Sequence, residues 1–452
     1  MLRRLYTQLA GPSFGAIFAR IAAGSALVQA AGMGLALIVG MLLARALGAH
    51  GLGIYSLGMS VVALLSVPTE FGLPTYLMRE VATAHVRQDW GRLRTVVSWC
   101  TRAIFLSSIA VTVAACLCLA FAGPSIGQEL TLTILAALPL VLLVALTKAR
   151  EAALQGMNLQ PLAQIPMLIG RPGTFLTVLA LAVFGFGFAL DASQAMMLHS
   201  FSMALVAAAI TLLYRARIST RSSWPQDSTF DGRGAVRAAL PMALTEGLRV
   251  MNGHIAIFML GFLASPTAVG IYKVADAVCI LCALPVFVLS NVVAPQIARL
   301  HVAGDVARLG SLVSYVALSM TVGSLAMAMP VVFFGIDILS LLFGPGFGDA
   351  YLPMIILCIG YAASAMMGPS LAYMNLTGRE QTVTRAFAVS FLANLVLGAA
   401  AVSIAGATGA ALTNVVCYLI WNGWLWREAK RQAKVDTSLL PAMQELLAWR
   451  RA

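Results

Sequence analysis

Apolar residues in this chain come in long runs rather than at strand or surface-helix spacing. About twelve runs of roughly 20 residues can be picked out. They centre near Val39, Val61, Val113, Leu142, Leu179, Leu205, Ile257, Leu281, Leu318, Ile356, Val396 and Leu419. Each is long enough to cross the hydrocarbon layer of a bilayer as an α-helix. Lipid offers the backbone no hydrogen-bond partner, so a spanning segment is a helix or part of a closed barrel. These runs are too long and too continuously apolar for the alternating strands of a barrel. The pattern predicts an all-α polytopic membrane protein.

Composition agrees with the pattern. The 452 residues are 60% hydrophobic and only 10% charged, against about 25% charged in soluble domains. Met1 to Arg20 carries Arg3, Arg4 and Arg20 but no long apolar core. No cleavable signal is evident, and the segment reads as an interfacial amphipathic helix rather than a disordered tail. All seven cysteines lie in or at the ends of apolar runs, so no disulfide framework is legible. Cys279-x-x-Cys282 sits mid-helix with no histidine nearby and reads as packing.

The net charge of +12 is explained by topology, without nucleic acid as a partner. Lys and Arg gather at cytoplasmic helix ends. With the N-terminus inside, the inner segments hold Arg79, Arg87, Arg92, Arg94 and Arg102, then Lys148 and Arg150, then Arg215 to Arg237, Arg299, Arg308, Arg379 and Arg385. The tail adds Arg427, Lys430, Arg431, Lys434, Arg450 and Arg451. Outer loops carry Glu129, Asp191, Asp337 and Asp349, with Arg45 alone near an outer end. The expectation is a multi-pass protein with both termini in the cytoplasm and no sizeable outer domain.

The stretch Met41 to Ala82 has a faded copy. At an offset of 217, Gly53-Ile54-Tyr55 falls on Gly270-Ile271-Tyr272, Leu64 on Leu281 and Pro68 on Pro285. Further on, Asp89 to Leu93 resembles Asp305 to Leu309, Leu154-Gln155-Gly156 resembles Leu376-Thr377-Gly378, and Gly187 to Leu190 resembles Gly409 to Leu412. The chain therefore divides into an N-terminal interfacial segment (1–20), an N-lobe of six helices (21–214), a cytoplasmic linker (215–237), a C-lobe of six helices (238–426) and a basic cytoplasmic tail (427–452) laid along the membrane surface. Six helices per half is an even number, so a parallel pseudo-two-fold relates the lobes, a plan shared by many transporters with a site between the repeats.

The order Leu43 to Gly48, then Gly53 to Tyr55, then Glu70-Phe71-Gly72-Leu73 before Arg79-Glu80 resembles the first two helices of Wzx-type bacterial polysaccharide flippases. These belong to the superfamily that also holds multidrug and toxic-compound extrusion (MATE) antiporters and lipid II flippases. The strong match covers about 45 residues, and the twelve-span layout extends it over the chain. The resemblance implies a MATE-like fold in the bacterial inner membrane. It implies a cavity lined mainly by spans one, two, seven and eight. Its implied substrate is an oligosaccharide on a polyprenyl pyrophosphate. Membrane lipids are the other expected partners, together with a polysaccharide polymerase and other assembly proteins.

Ionisable groups within membrane helices are costly and usually face a partner or a wet cavity. Glu246 and Arg249 lie roughly 12 and 16 Å into the seventh span, three residues apart on one face. Lys273 and Asp276 lie roughly 9 and 14 Å into the eighth, again three apart. Arg249 and Lys273 suit an anionic pyrophosphate or acidic sugars. Glu246 and Asp276 would tune them or carry a coupling cation. Salt bridges that only fix packing are the bland alternative. Glu70 is placed near the inner surface, beside a basic partner or the cavity. Arg171 precedes Pro172 and either lines a cavity or snorkels. Arg45 suits an outer gate or helix end, with substrate contact as the other reading. His254 reads as a helix–helix hydrogen-bonder and His199 as packing. Pro68, Pro74, Pro285 and Pro295 are expected to interrupt the second and eighth spans.

There is no phosphate-cradling GxxxxGK[ST] loop, no HExxH and no nucleophile–base set. No catalytic or metal-binding residue and no cofactor is therefore expected, and energy comes from an ion gradient (H+ or Na+), the membrane potential or the substrate. The function expected is flipping of a lipid-linked oligosaccharide to the outer leaflet by alternating access, for surface polysaccharide biosynthesis. A cation-coupled multidrug antiporter of the same fold is the first rival. A membrane polysaccharide polymerase or ligase is the second, opposed by the short outer loops.

Overall fold

A computed structural model describes residues 14–185, 187, 189–218, 230–433 and 435–451. Residues 1–13 of the expected interfacial segment and 219–229 of the expected linker lie outside the described residues. The chain begins with α1 (Phe14–Glu70), α2 (Leu73–Val86), α3 (Trp90–Ile126) and α4 (Gln128–Gly156). The fifth span is composite: α5 (Gln160–Ile165), a π turn (Pro166–Gly170), α6 (Arg171–Ala180) and a second π turn (Leu181–Gly185). Then follow α7 (Ala192–Ile218), α8 (Gly232–Leu263), α9 (Pro266–Val302), α10 (Val306–Phe343), α11 (Tyr351–Met366), α12 (Ser370–Leu376), α13 (Glu380–Ala433) and α14 (Leu440–Arg451).

The centre of each predicted apolar run falls inside one of these helices. Among the described residues, nine helices are long and apolar enough to cross a membrane. Two of them carry double spans. α1 is broken at Gly48 (φ 66°, ψ −178°) and α13 at Gly406 (φ 52°, ψ −126°). Only glycine enters such backbone regions without strain. The seventh span, α8, is not among the nine, because Glu246, Arg249, Asn252 and His254 dilute its hydropathy. Large apolar side chains such as Phe121, Phe184, Phe262 and Ile404 stand exposed. A water-soluble protein would hide a surface of this kind, whereas lipid solvates it.

The repeat is visible in the turns. Asp89 and Asp305 cap α3 and α10 alike, each accepting from the backbone N–H three residues on (Arg92, 2.9 Å; Arg308, 3.0 Å). Gly127 and Gly344 both close the following helix with positive φ (95° and 109°). The matched Leu-x-Gly triplets do not share a role. The left-handed turn falls at Asn158 and Gly378 instead, while a Cβ at Gly156 would meet Val81 and the Met78 carbonyl at 2.8 Å. The prolines of α9 also depart from expectation, since the helix runs on through Pro285 and Pro295. In the second span the break comes at Phe71 and Gly72, both at positive φ, just past Pro68.

By contacts the chain forms two compact units. One holds Gly34–Gly261 and Ser265–Gly270; the other holds described residues up to Met33, Phe262–Ala264 and Ile271–Ala452. The division does not fall at the expected linker, because α8 packs closely within the first of these units. A Cβ at Gly72 would lie 2.6 Å from the Ala239 carbonyl oxygen and the Ala243 nitrogen, and one at Gly261 would lie 2.5 Å from Leu57. Small residues let helices in lipid approach this closely. The same unit has a core of Leu77, Val81, Val96, Cys100, Ile104, Ala145 and Ala149.

In the other unit the C-terminal segment docks onto the helices. Residues 427–433 continue α13, and Val435, Thr437, Leu439 and Ala442 are buried. The Asp436 carboxylate accepts from Trp426 Nε1 (2.8 Å) and Ser438 Oγ (2.7 Å), with Lys430 Nζ at 2.9 Å. Burial pushes this carboxyl up, but those bonds outweigh it and hold it down to about 2. Thr437 reaches the Met367 carbonyl and Ser370 Oγ. Gly368 (φ 68°) makes the socket: a Cβ there would lie 2.0 Å from the Thr437 carbonyl oxygen.

Candidate functional site

The first unit encloses a cavity of about 750 Å³, lined by the second span, α2, α4, the first π turn with α6, and α8. Its charged lining is Glu70, Lys148, Glu151, Arg171, Glu246 and Arg249. Met78, Val62 and Met167 supply apolar wall, and Gln155 and His254 further polar groups. The volume is within the usual range for small-molecule sites, which pair apolar walls with a few placed polar groups.

Local structure explains how each side chain arrives. Glu70 is the last residue of α1, immediately before the Phe71–Gly72 break turns the chain into α2. Lys148, Glu151 and Gln155 sit three and four residues apart on α4, hence on one face. Arg171 follows the π turn, an insertion that re-aims side chains and recurs at functional sites. Glu246 and Arg249 share a face of α8, and the small-residue contact with the second span, Gly247 against Val67, lies beside that face.

The charges are not independent. Lys148 Nζ lies 2.8 and 3.0 Å from the two oxygens of Glu70, whose side chain is only 8% exposed. Arg249 donates to Glu246 through Nε (2.8 Å) and Nη2. Each pair lies in the electrostatic field of the other. Gln155 donates to Glu151 (3.0 Å). Among the described residues, Glu151 has no cation within ion-pair range. Arg171 Nε donates to His199 Nε2 (3.2 Å), whose Nδ1 lies 2.5 Å from Tyr55 Oη. His254 bonds Ser60 across α8 and α1 (3.0 Å).

Of the seven residues singled out from sequence, Glu70, Arg171, Glu246 and Arg249 line this one cavity. Arg45 does not; it is exposed on α1 before the Gly48 break. Lys273 and Asp276 do not either; they pair with each other on α9 at 2.9 Å. Three lining residues were missed: Lys148, Glu151 and Gln155. In the sequence Lys148 reads only as an inner-side charge near a helix end, and its three-and-four spacing to Glu151 and Gln155 becomes a signal only once the cavity is seen. Among the described residues, no group of three or more His, Cys, Asp or Glu is placed to hold a metal.

The protein is thus a polytopic helical bundle with a mixed-charge cavity among its helices. Residues 20–301 match the family described as polysaccharide biosynthesis protein, and the chain belongs to that family. Among curated proteins, no sequence matches it significantly. Solved structures share its fold. An inward-facing multidrug resistance MATE family transporter of the MOP superfamily is 15% identical at TM-score 0.71, covering 88% of this chain and 94% of that one. The lipid II flippase MurJ in an inward closed conformation is 13% identical at TM-score 0.67, covering 89% and 87%. A MOP superfamily transporter from Pyrococcus furiosus, described as having a binding pocket of reversed polarity, is 13% identical at TM-score 0.65, covering 90% and 95%. The chain thus belongs to a family of polysaccharide biosynthesis proteins and shares the multi-pass helical fold of these solved transporters.

Proposed function

We propose that this protein flips an oligosaccharide linked to a polyprenyl pyrophosphate from the cytoplasmic to the outer leaflet of the bacterial inner membrane, by alternating access, for surface polysaccharide biosynthesis. The observation that carries this reading is the convergence of three cations, Lys148, Arg171 and Arg249, on one membrane-embedded cavity. Desolvated Lys and Arg attract phosphate strongly, and Arg can engage it through two parallel bonds. Family membership supplies the polysaccharide context.

In this mechanism the headgroup enters the cavity and the pyrophosphate competes with Glu70 and Glu246 for Lys148 and Arg249. Between cycles Glu70 and Glu246 keep Lys148 and Arg249 neutralised. The sugars meet Gln155, His254 and Glu151, while the prenyl tail stays in lipid. Both termini are proposed to be cytoplasmic, as the basic inner segments require.

A second reading has its own observation: Glu70, Glu151 and Glu246 give the cavity as many carboxylates as cations, which suits a cation-coupled multidrug antiporter. Deleting the gene separates the two. Flipping predicts loss of surface polysaccharide with unchanged sensitivity to cationic drugs. Drug export predicts the reverse.

A further inference from the structure

Arg171 is the one cavity cation without a carboxylate partner in ion-pair range among the described residues. Its guanidinium has five N–H donors in a rigid fork. One of them, on Nε, is used by His199 Nε2, and the remainder have no hydrogen-bond partner among the described residues. Arginine cannot act as an acceptor, so His199 Nε2 must present its lone pair. A neutral imidazole then carries its proton on Nδ1, which donates to Tyr55 Oη. The ring itself is clamped. Phe175 stacks on it with centroids 4.4 Å apart and planes 13° from parallel. Tyr55 lies nearly parallel at 6.1 Å. Beside this chain, Thr174 and Ser202 bond at 2.6 Å and tie the same two helices. Tyr55, Phe175 and His199 are all buried. Tyr55 and Phe175 thus orient the imidazole that holds one nitrogen of a cavity arginine.

We propose that His199 is a positioning residue for Arg171. The neutral imidazole, oriented by Tyr55 and Phe175, holds the guanidinium by Nε and leaves its Nη groups to bind an anionic group of the substrate. The tether stands on this geometry alone; the assignment of the anion rests on the flippase reading above. The π turn that ends at Gly170 delivers Arg171 to the ring, and Pro172 fixes the backbone just after it. A buried aromatic stack is a stiff support, and a site ligand is only as well placed as the shell behind it.

The test is the rate at which phenylglyoxal, an arginine-selective dicarbonyl, modifies Arg171 in the purified full-length protein, read by peptide mass spectrometry. His199→Phe removes the acceptor but keeps the stack, and the expected modification is about tenfold faster, the factor for losing one hydrogen bond to a charged group. His199→Gln restores an acceptor and is expected to bring the rate back towards wild type. Should His199→Phe fail to fold, Tyr55→Phe, which frees the imidazole to turn, is expected to accelerate the reaction severalfold. Equal rates in wild type and in whichever of these variants folds would overturn the proposal. Binding of a polyprenyl pyrophosphate to the protein in nanodiscs separates the two layers. If wild type fails to bind it, the flippase reading falls while the tether is still decided by the modification rates. If wild type binds and Arg171→Gln does not weaken binding, the anion assignment to Arg171 falls.

Discussion

Lys148 and Glu70 are 78 positions apart in sequence, yet the ammonium sits within 3.0 Å of both carboxylate oxygens. Glu70 ends the second span and is almost fully buried; Lys148, on α4, is about one-third exposed (32%) to the cavity. Breaking such a pair by removing one partner leaves a buried charge uncompensated, whereas removing both can be nearly neutral. Lys148→Met is therefore expected to destabilise the protein by up to about 3 kcal/mol. The double variant Lys148→Met/Glu70→Gln should recover most of that loss. Thermal unfolding of the four proteins in detergent measures it, and additive losses would refute the pairing.

Gly53 and Gly270 explain why one tripeptide was recognisable in both halves. A Cβ at Gly53 would lie 1.7 Å from the Pro266 carbonyl oxygen, and one at Gly270 would lie 1.9 Å from that of Ala49. Positions 49 and 266 are themselves related by the repeat offset, so the two copies make one contact reciprocally, as a two-fold requires. Either Gly→Ala substitution is expected to cost at least ~3 kcal/mol through overpacking. Gly40→Ala, where nothing lies within 4 Å of the added carbon, is the control. The yield of monodisperse protein in size-exclusion chromatography separates them.

The spans, the repeat and the family were legible because lipid imposes one solution, a long apolar helix, and because two copies of each turn carry related signals such as Asp89 and Asp305. The site was half legible. Glu246 and Arg249 stand out as charges in an apolar run. Lys148 and Glu151 do not, since charges at a helix end read as ordinary inner-side residues until the fold shows a cavity there. Lys273 and Asp276 looked equivalent to Glu246 and Arg249 by depth and spacing, and only tertiary placement distinguishes them. The Tyr55–Arg171–His199 convergence had no sequence signal at all, because each residue alone is a plausible packing group.

Glu151 discriminates an anionic from a cationic cargo. Its carboxylate repels an anion and attracts a cation, and in a part-buried site one unit charge several ångströms away changes affinity about threefold to tenfold. Glu151→Gln is expected to tighten binding of a polyprenyl pyrophosphate by that factor, and Arg249→Gln to weaken it. Binding titrations in nanodiscs read both. Tighter binding of a cationic dye by wild type than by Glu151→Gln, with no change for the pyrophosphate lipid, would favour drug export.

The C-terminal dock should respond to acid. The Asp436 carboxyl is held at about 2, below its ordinary 3.8, so the folded state favours the charged form. Its contribution is complete above about pH 4 and disappears as pH falls towards 2. Hydrogen exchange of residues 435–442 is expected to accelerate across that window, and Asp436→Asn should show the faster exchange already at neutral pH. Exchange in the variant indistinguishable from wild type would show that Thr437 and Gly368 hold the segment unaided.

The most direct measurement is translocation itself. Purified protein in liposomes is supplied with a fluorescent oligosaccharide on a polyprenyl pyrophosphate, and a membrane-impermeant quencher follows its appearance in the opposite leaflet. Leaflet exchange by wild type, lost when Lys148, Arg171 and Arg249 are all changed to Gln, is the predicted result. Absence of exchange by wild type, in liposomes where the same preparation moves a cationic dye, would contradict it.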